Sequence, residues 1–231
     1  MNSLIQLKTG ILGSEADCEK LAQKKQAKIL VISDSHGGRN TLRHIILQYG
    51  ESCDALFFAG DGTGDLTACL DEAYKEKYFM KCIPPVIAFA KGNNDPSSYP
   101  VDFNPYDSDE NAHKSFNVSV PKNVELTAAG RKILLTHGNE YGVYYSTDSL
   151  VFAAKERGAD TVVFGHTHCP AEIRRDVYLM NPGSATCPRN LSKPGFAFIQ
   201  IVEKEIYSVF YKMETFPTVK FVPYNPEVIY Y

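Results

Sequence analysis

Two histidines with one residue between them, His166 and His168, close the run TVVFGHTHCP at residues 161–170. An imidazole can be a core side chain, a proton carrier or a metal ligand, and one such pair does not choose among these. The same kind of ending recurs along the chain. The apolar run KILVISD (28–34) leads into Asp34, Ser35 and His36. DALFFAGD (54–61) ends in Gly60 and Asp61, and PVIAFAKGNND (85–95) in Gly92, Asn93, Asn94 and Asp95. RKILLTHG (131–138) ends in His137 and Gly138. Four of the six histidines therefore stand at the ends of apolar runs, beside Asp34, Asp61 and Asn93. Seven nitrogen and oxygen donors that need no thiolate suit two borderline or hard divalent ions rather than a structural zinc. Asp61 has two oxygens to share and can bridge such ions. In an extended segment, the i, i+2 spacing of Asp34/His36 and of His166/His168 puts each pair on one side. Gly60, Gly92, Gly138 and Gly165 are read as sharp turns beside these donors.

The elements that must position these groups alternate in type. The five runs are short and almost unbroken, the mark of strands buried on both faces. Between them, NTLRHIILQYG (40–50), DLTACLDEAYKEK (65–77) and DSLVFAAKERG (148–158) have apolar residues at helical spacing. Asn40 and Asp148 are the expected N-caps, with Gly50 and Gly158 as terminators. Strand–helix–strand order implies right-handed crossovers and a mainly parallel sheet, whose carboxyl ends gather on one edge. After residue 177 the texture changes. Residues 177–184, 195–201, 205–213 and 218–224 read as strands without helices between them, which predicts a second, more antiparallel sheet. No linker separates the two regions, so residues 1–231 are expected to form one domain.

Two segments stand apart. The first 27 residues mix Glu15, Asp17 and Glu19 with lysines, unlike a signal or transit peptide, and are expected to form an amphipathic helix laid on the outside. Residues 96–120, rich in Pro, Ser, Asp, Asn and aromatics, form a long irregular stretch read as an ordered lid. Tyr99, Phe103, Tyr106 and His113 there, with Tyr141, Tyr144 and Tyr145, are candidates for lining a pocket or for ordinary loop packing. His44 and His113 read as structural or solvent-exposed.

Bulk properties narrow the function classes. A formal net charge of −3 and a pI near 6.1 give no basic footprint for nucleic acid or an anionic membrane. No apolar run is long enough to span a bilayer. The six scattered cysteines, with no CxxC pair, predict free thiols in a reducing cytoplasm. Asn117 and Asn190 stand in Asn-x-Ser contexts that carry no meaning in that compartment.

The ordered set DSH, GD, GNND, THG and GHTH resembles the calcineurin-like metallophosphoesterases. Together with THGNEYGV and NPGSATCPR (181–189), it is most similar to the small bacterial and archaeal phosphodiesterase branch, which includes the retromer vacuolar-sorting subunit. The likeness covers roughly residues 28–211. It implies a four-layer αββα sandwich of two mixed β-sheets flanked by helices. It also implies that Asp34, His36 and His168 hold one metal, that Asn93, His137 and His166 hold the other, and that Asp61 bridges them. The ions would be manganese first, with zinc, iron(II), nickel or magnesium as alternatives. A hydroxide shared between them would attack a small phosphoester, most simply a diester. The catalytic set on this reading is Asp61, Asn94, Asp95 and His137.

Asn94 departs from the pattern. Larger phosphatases of the superfamily carry a histidine there that protonates the leaving group, and the small branch commonly a cysteine. Asn94 cannot give up a proton, so the reaction is expected to favour substrates with good leaving groups or to borrow an acid from elsewhere. Asp95 is expected to orient a ligand. Asn139, where relatives often have a second histidine, leaves His137 intact. A phosphomonoesterase, or a protein-binding scaffold like the retromer subunit, are the other readings; that relative looks degraded in its ligand set, whereas all seven donors are present here. The resemblance also implies a homodimer or homotetramer.

Overall fold

The structure, a computed structural model, describes residues 2–102 and 116–226. Helix α1 (Glu15–Gln23) comes first, followed by β1 (Gln26–Ile32), α2 (Arg39–Tyr49), β2 (Ala55–Phe58) and α3 (Thr63–Lys75). Next are α4 (Lys77–Lys81), β3 (Val86–Phe89), β4 (Ser98–Val101), β5 (Phe116–Ser119), β6 (Asn123–Ala128) and β7 (Arg131–Thr136). The last elements are α5 (Asp148–Glu156), β8 (Thr161–Val163), β9 (Pro170–Arg174), β10 (Tyr178–Pro182), β11 (Gly195–Val202), β12 (Glu205–Glu214) and β13 (Lys220–Tyr224).

Two mixed sheets lie face to face. The six-stranded sheet has the order β13-β12-β11-β1-β2-β3, and the five-stranded sheet β6-β7-β8-β10-β9. Period-two alternation explains why the central runs are apolar throughout. From β1, β2 and β3, Ile29, Val31, Phe57 and Ala88 face the second sheet, meeting Ile133, Leu135, Val163 and Met180. Their neighbours Leu30, Ile32, Leu56, Phe58 and Phe89 face outward onto Leu42, Ile45, Leu66 and Phe79 of α2, α3 and α4. On the opposite side, Leu134, Val162 and Leu179 of the second sheet pack under Leu150 and Ala154 of α5. Helix, sheet, sheet, helix: the central strands β2, β3, β8 and β10 are buried on both faces because each sheet is covered twice there.

The C-terminal strands do not form a separate antiparallel sheet. β11 runs antiparallel to β1, with Ile29 opposite Ile199. β10 runs parallel to β8, so the tail completes both sheets. An open edge of β1 or β8 presents unpaired backbone groups, and later segments of the chain satisfy them. Chain order alone does not say which edge a strand will take. Part of the 96–120 stretch is also regular: β4 and β5 pair as an antiparallel ribbon, while Phe103, Tyr106 and His113 lie outside the described residues. Two expected caps move as well. α2 is capped by Gly38, two residues before Asn40, and α5 by Thr147, one residue before Asp148.

The N-terminal residues contain the expected helix, α1, and ahead of it a segment that is largely buried. Ser14 caps α1 by accepting from the Asp17 N–H. Leu21 of α1 reaches the core between the sheets. Ahead of it, Leu4 and Leu12 are fully buried. Leu12 exchanges both backbone hydrogen bonds with Ile87, each 2.9 Å, and so covers the free edge of β3. Truncating such a side chain removes contacts that cannot be recovered by collapse. Leu12→Ala is expected to cost roughly 2–5 kcal/mol in urea unfolding; a loss near zero would show the segment to be a surface appendage.

Candidate metal centre

The strand ends that carry the chemistry belong to both sheets. β1, β2 and β3 are parallel neighbours in one, and β7 and β8 in the other. Their carboxyl ends open at the same end of the sandwich, so the polar groups meet across two sheets and not along one edge. Around Asp34, His36 Nε2 lies 3.8 Å and His168 Nε2 3.2 Å from Oδ1. These three residues can place one donor atom each within 4.8 Å of the others, and so can Asp34, Asp61 and His137. Asp61 Oδ2 stands 3.8 Å from His36 Nε2 and 3.5 Å from His137 Nε2. His137 Nε2 is in turn 3.2 Å from Asn93 Oδ1 and 3.1 Å from His166 Nδ1. Asp61 thus lies between two groups of donors.

The backbone that achieves this is not extended. Asp34, His36, Asp61, His166 and His168 all have positive φ, between 41° and 70°. Left-handed conformation costs a residue with a Cβ on the order of 1–2 kcal/mol, and such strain concentrates where function requires it. The i, i+2 pairs therefore sit on tight turns, closed by the Gly38 N–H to the Ser35 carbonyl and the Thr167 N–H to the Gly165 carbonyl. As a result Asp34 and His36 face one group, while His166 turns to His137 and His168 to His36. Two of the glycines serve close approach and not turning. A Cβ on Gly92 would meet Asp61 Oδ1 at 2.1 Å, and one on Gly165 would meet Ser33 Oγ at 2.1 Å.

Hydrogen bonds at the far side of the rings fix which nitrogen faces inward. His137 Nδ1 donates to the Ala59 carbonyl at 2.7 Å and His168 Nδ1 to the Cys187 carbonyl at 2.5 Å. A carbonyl only accepts, so in the neutral rings both Nε2 lone pairs point into the site. Across from them, Asp34 Oδ1 is buried without a hydrogen-bond partner. Lone pairs crowded this closely call for a cation. The same crowding of acceptors acts on protons. Burial disfavours charged imidazole, but the Asp61 carboxylate beside His137, and that of Asp34 beside His168, hold both above the ordinary histidine pKa. His166 moves down, through burial and the neighbouring His137 charge. Burial alone would raise Asp61, yet hydrogen bonds from His137 and Asn94 outweigh it and hold that carboxyl well below the usual range. A nitrogen and oxygen set with inward lone pairs and oriented rings fits divalent ions.

Asp95 touches none of the donor atoms. Its two oxygens accept six hydrogen bonds: from the Asp61, Gly62, Thr63 and Gly92 N–H groups, the Thr63 hydroxyl and the Tyr99 hydroxyl. It ties the loop after β2 to the loop after β3 and thereby sets where Asp61 stands. Asn94 also serves Asp61, donating from its backbone to Oδ1 at 2.8 Å and from its amide to Oδ2 at 2.6 Å.

Other candidates fall elsewhere. His44 is solvent-exposed on α2 with its ring edge-on to Phe221. Tyr141 donates to Asn123, and Tyr145 is 91% exposed. Tyr144 donates to the His166 carbonyl at 2.8 Å. The six cysteines are free thiols. Three supporting residues were not singled out from sequence. Ser33 donates to Asp34 Oδ2 at 2.5 Å, Ser184 to the Asp34 carbonyl at 2.7 Å, and Arg189 to the Tyr144 hydroxyl. Ser33 acts on its chain neighbour, whereas Ser184 and Arg189, both within NPGSATCPR, act on residues 150 and 45 positions away, a pairing that only the fold reveals.

Residues 27–204 match the family described as the calcineurin-like phosphoesterase superfamily domain. The chain belongs to that family. It is 30% identical over 174 residues to the Bacillus subtilis protein named probable metallophosphoesterase YsnB, covering 75% of this chain and 83% of that one. Among solved structures, a Streptococcus pneumoniae protein described as a predicted phosphoesterase aligns with TM-score 0.58 at 22% identity, over 86% of this chain and 98% of that one. Vps29 of Cryptosporidium parvum aligns with TM-score 0.59 at 18% identity, over 86% and 98%. An archaeal phosphodiesterase gives 0.54 at 20% identity, over 79% and 99%. These structures share the fold of this calcineurin-like chain. Among the described residues no helix is long and apolar enough to cross a membrane.

Removing the Asp95 carboxylate leaves several buried N–H groups unpaired. Asp95→Ala is expected to destabilise by roughly 3–5 kcal/mol, measured by urea unfolding without metal. A change within about 0.5 kcal/mol would show the six bonds to be dispensable.

Proposed function

We propose that this chain is a binuclear metal-dependent phosphoesterase that cleaves a small phosphodiester. The observation that carries the reading is the pair of donor groups that share Asp61. In this reading Asp34, His36 and His168 hold one ion, Asn93, His137 and His166 the other, and Asp61 both. Two divalent ions bound there would supply an activated water near neutral pH and neutralise charge building on the phosphoryl oxygens. Manganese suits the nitrogen and oxygen set, with zinc, iron(II), nickel and magnesium as the alternatives to try.

The protein's own contribution is orientation. The Ala59 and Cys187 carbonyls keep His137 and His168 in one tautomer. Asn94 and Asp95 fix Asp61 from opposite sides, the first by its oxygens and the second by its backbone N–H. Because the Asn94 amide is already spent on Asp61, no proton donor stands at that position for the leaving group. The departing alkoxide or phenoxide must leave as the anion, so good leaving groups are favoured. A complete donor set supports an esterase over a purely protein-binding scaffold, for which the Vps29-like fold is the only support.

Metal-stripped protein reloaded with manganese should hydrolyse bis-p-nitrophenyl phosphate, and Asp61→Asn should lose at least about a hundredfold in turnover. Turnover insensitive to metal, or unchanged in the variant, would overturn the reading. Across a series of aryl phosphodiesters, the rate should fall steeply as leaving-group pKa rises; a flat series would mean that a proton donor acts from elsewhere. Metal affinity has a pH dependence of definite sign. His137 and His168 keep their protons to higher pH than an ordinary imidazole, and a metal must displace those protons. Manganese affinity should therefore weaken as pH falls through and below neutrality, as read by calorimetric titration.

A further inference from the structure

Among the described residues, Arg189 is the arginine with no carboxylate to answer its charge. Of the seven arginines in the sequence, the other six each have a carboxylate partner. Arg189 has none among the described residues. It is nevertheless held in place from two directions. Its backbone N–H donates to the His168 carbonyl at 3.2 Å. Its guanidinium donates to the Tyr144 hydroxyl, and that hydroxyl donates to the His166 carbonyl at 2.8 Å. The Tyr144 ring meets the His166 ring edge-on with centroids 4.8 Å apart, and the guanidinium carbon lies 5.7 Å from the Tyr144 ring centre. A cation is thus fastened beside both histidines of the GHTH turn. Most of its N–H donors face solvent, since Arg189 is exposed and, among the described residues, its guanidinium donates to one hydroxyl.

We propose that Arg189 is a phosphoryl-binding residue at the rim of the metal centre, with Tyr144 as the positioning residue that aims it. The inference rests on the phosphoesterase reading. A tetrahedral phosphoryl group has more oxygens than two metals can take, and a planar guanidinium offers paired donors to those left over. An unpaired arginine tethered beside a cluster of imidazoles and carboxylates makes no sense as a salt bridge. It does make sense as a counter-charge for an incoming anion. The ligand class is a phosphate ester anion, and orthophosphate, its simplest member, is the probe.

The test is calorimetric titration of orthophosphate into the manganese-loaded full chain, with metal content measured on every variant. Arg189→Ala should weaken phosphate binding roughly 10–100-fold with metal content unchanged. Arg189→Lys should recover part of that loss, as a point charge without the fork. Tyr144→Phe keeps the ring but removes the hydroxyl, and should weaken binding several-fold at unchanged thermal midpoint. Equal phosphate affinity in wild type and Arg189→Ala would overturn the proposal, as would a wild type that binds no phosphate. Loss of metal from Arg189→Ala would also overturn it, marking the residue as structural. Failure of the esterase reading is seen separately. Phosphate binding that depends on Arg189, in a protein that hydrolyses no ester, would keep the anion site and remove the enzyme.

Discussion

Lone pairs brought within a few ångströms of one another repel until a cation joins them, and everything else in this protein serves to hold them there regardless. Asp34, Asp61, His36, His137 and His168 present their acceptors into one volume, and Asp34 Oδ1 has no other partner. Five residues of the cluster are held with positive φ. Repulsion and backbone strain together amount to a standing cost that local interactions do not offset. It is offset by a core in which the central strands of both sheets are buried on both faces.

The layering has a second consequence. Each donor is anchored in a strand that cannot slide without moving buried side chains on two faces. β2 and β3 are buried at all four of their positions, so Asp61 and Asn93 extend from rigid stems. Loops that would otherwise drift are then joined to each other by hydrogen bonds. Asp95 ties the turn after β2 to the turn after β3. Ser184, in the stretch after β10, reaches the Asp34 carbonyl after β1. These ties run between turns whose strands belong to one sheet in the first case and to both in the second.

Orientation of the rings comes from carbonyls that face away from the site. Ala59 and Cys187 accept from His137 and His168, which leaves the inward nitrogens basic. Asn94 takes a place where a proton donor could stand and uses its amide on Asp61 instead. The site is therefore well equipped to hold cations and is poor in acids. On the proposed phosphoesterase reading, selectivity then falls on the leaving group and on what lies around the rim.

How much was legible in the sequence follows from this division. The donors were legible because each follows an apolar run, and runs buried on both faces announce themselves by composition. The helices were legible by period, though not their first residues, since Gly38 and Thr147 cap from the backbone while Asn40 and Asp148 only look like caps. Residue types also fixed the chemistry, as imidazole, carboxylate and amide donors without thiolates suit few things besides divalent ions. Three matters waited for the tertiary structure. One was the pairing of β11 with β1 and of β10 with β8, because an open edge accepts any strand of suitable register. Another was the left-handed backbone at the donors, which Asp and His tolerate better than most residues but do not by themselves require. The last was the neighbourhood of Arg189: a sequence shows a charge, but only the fold shows whether another charge is there to meet it.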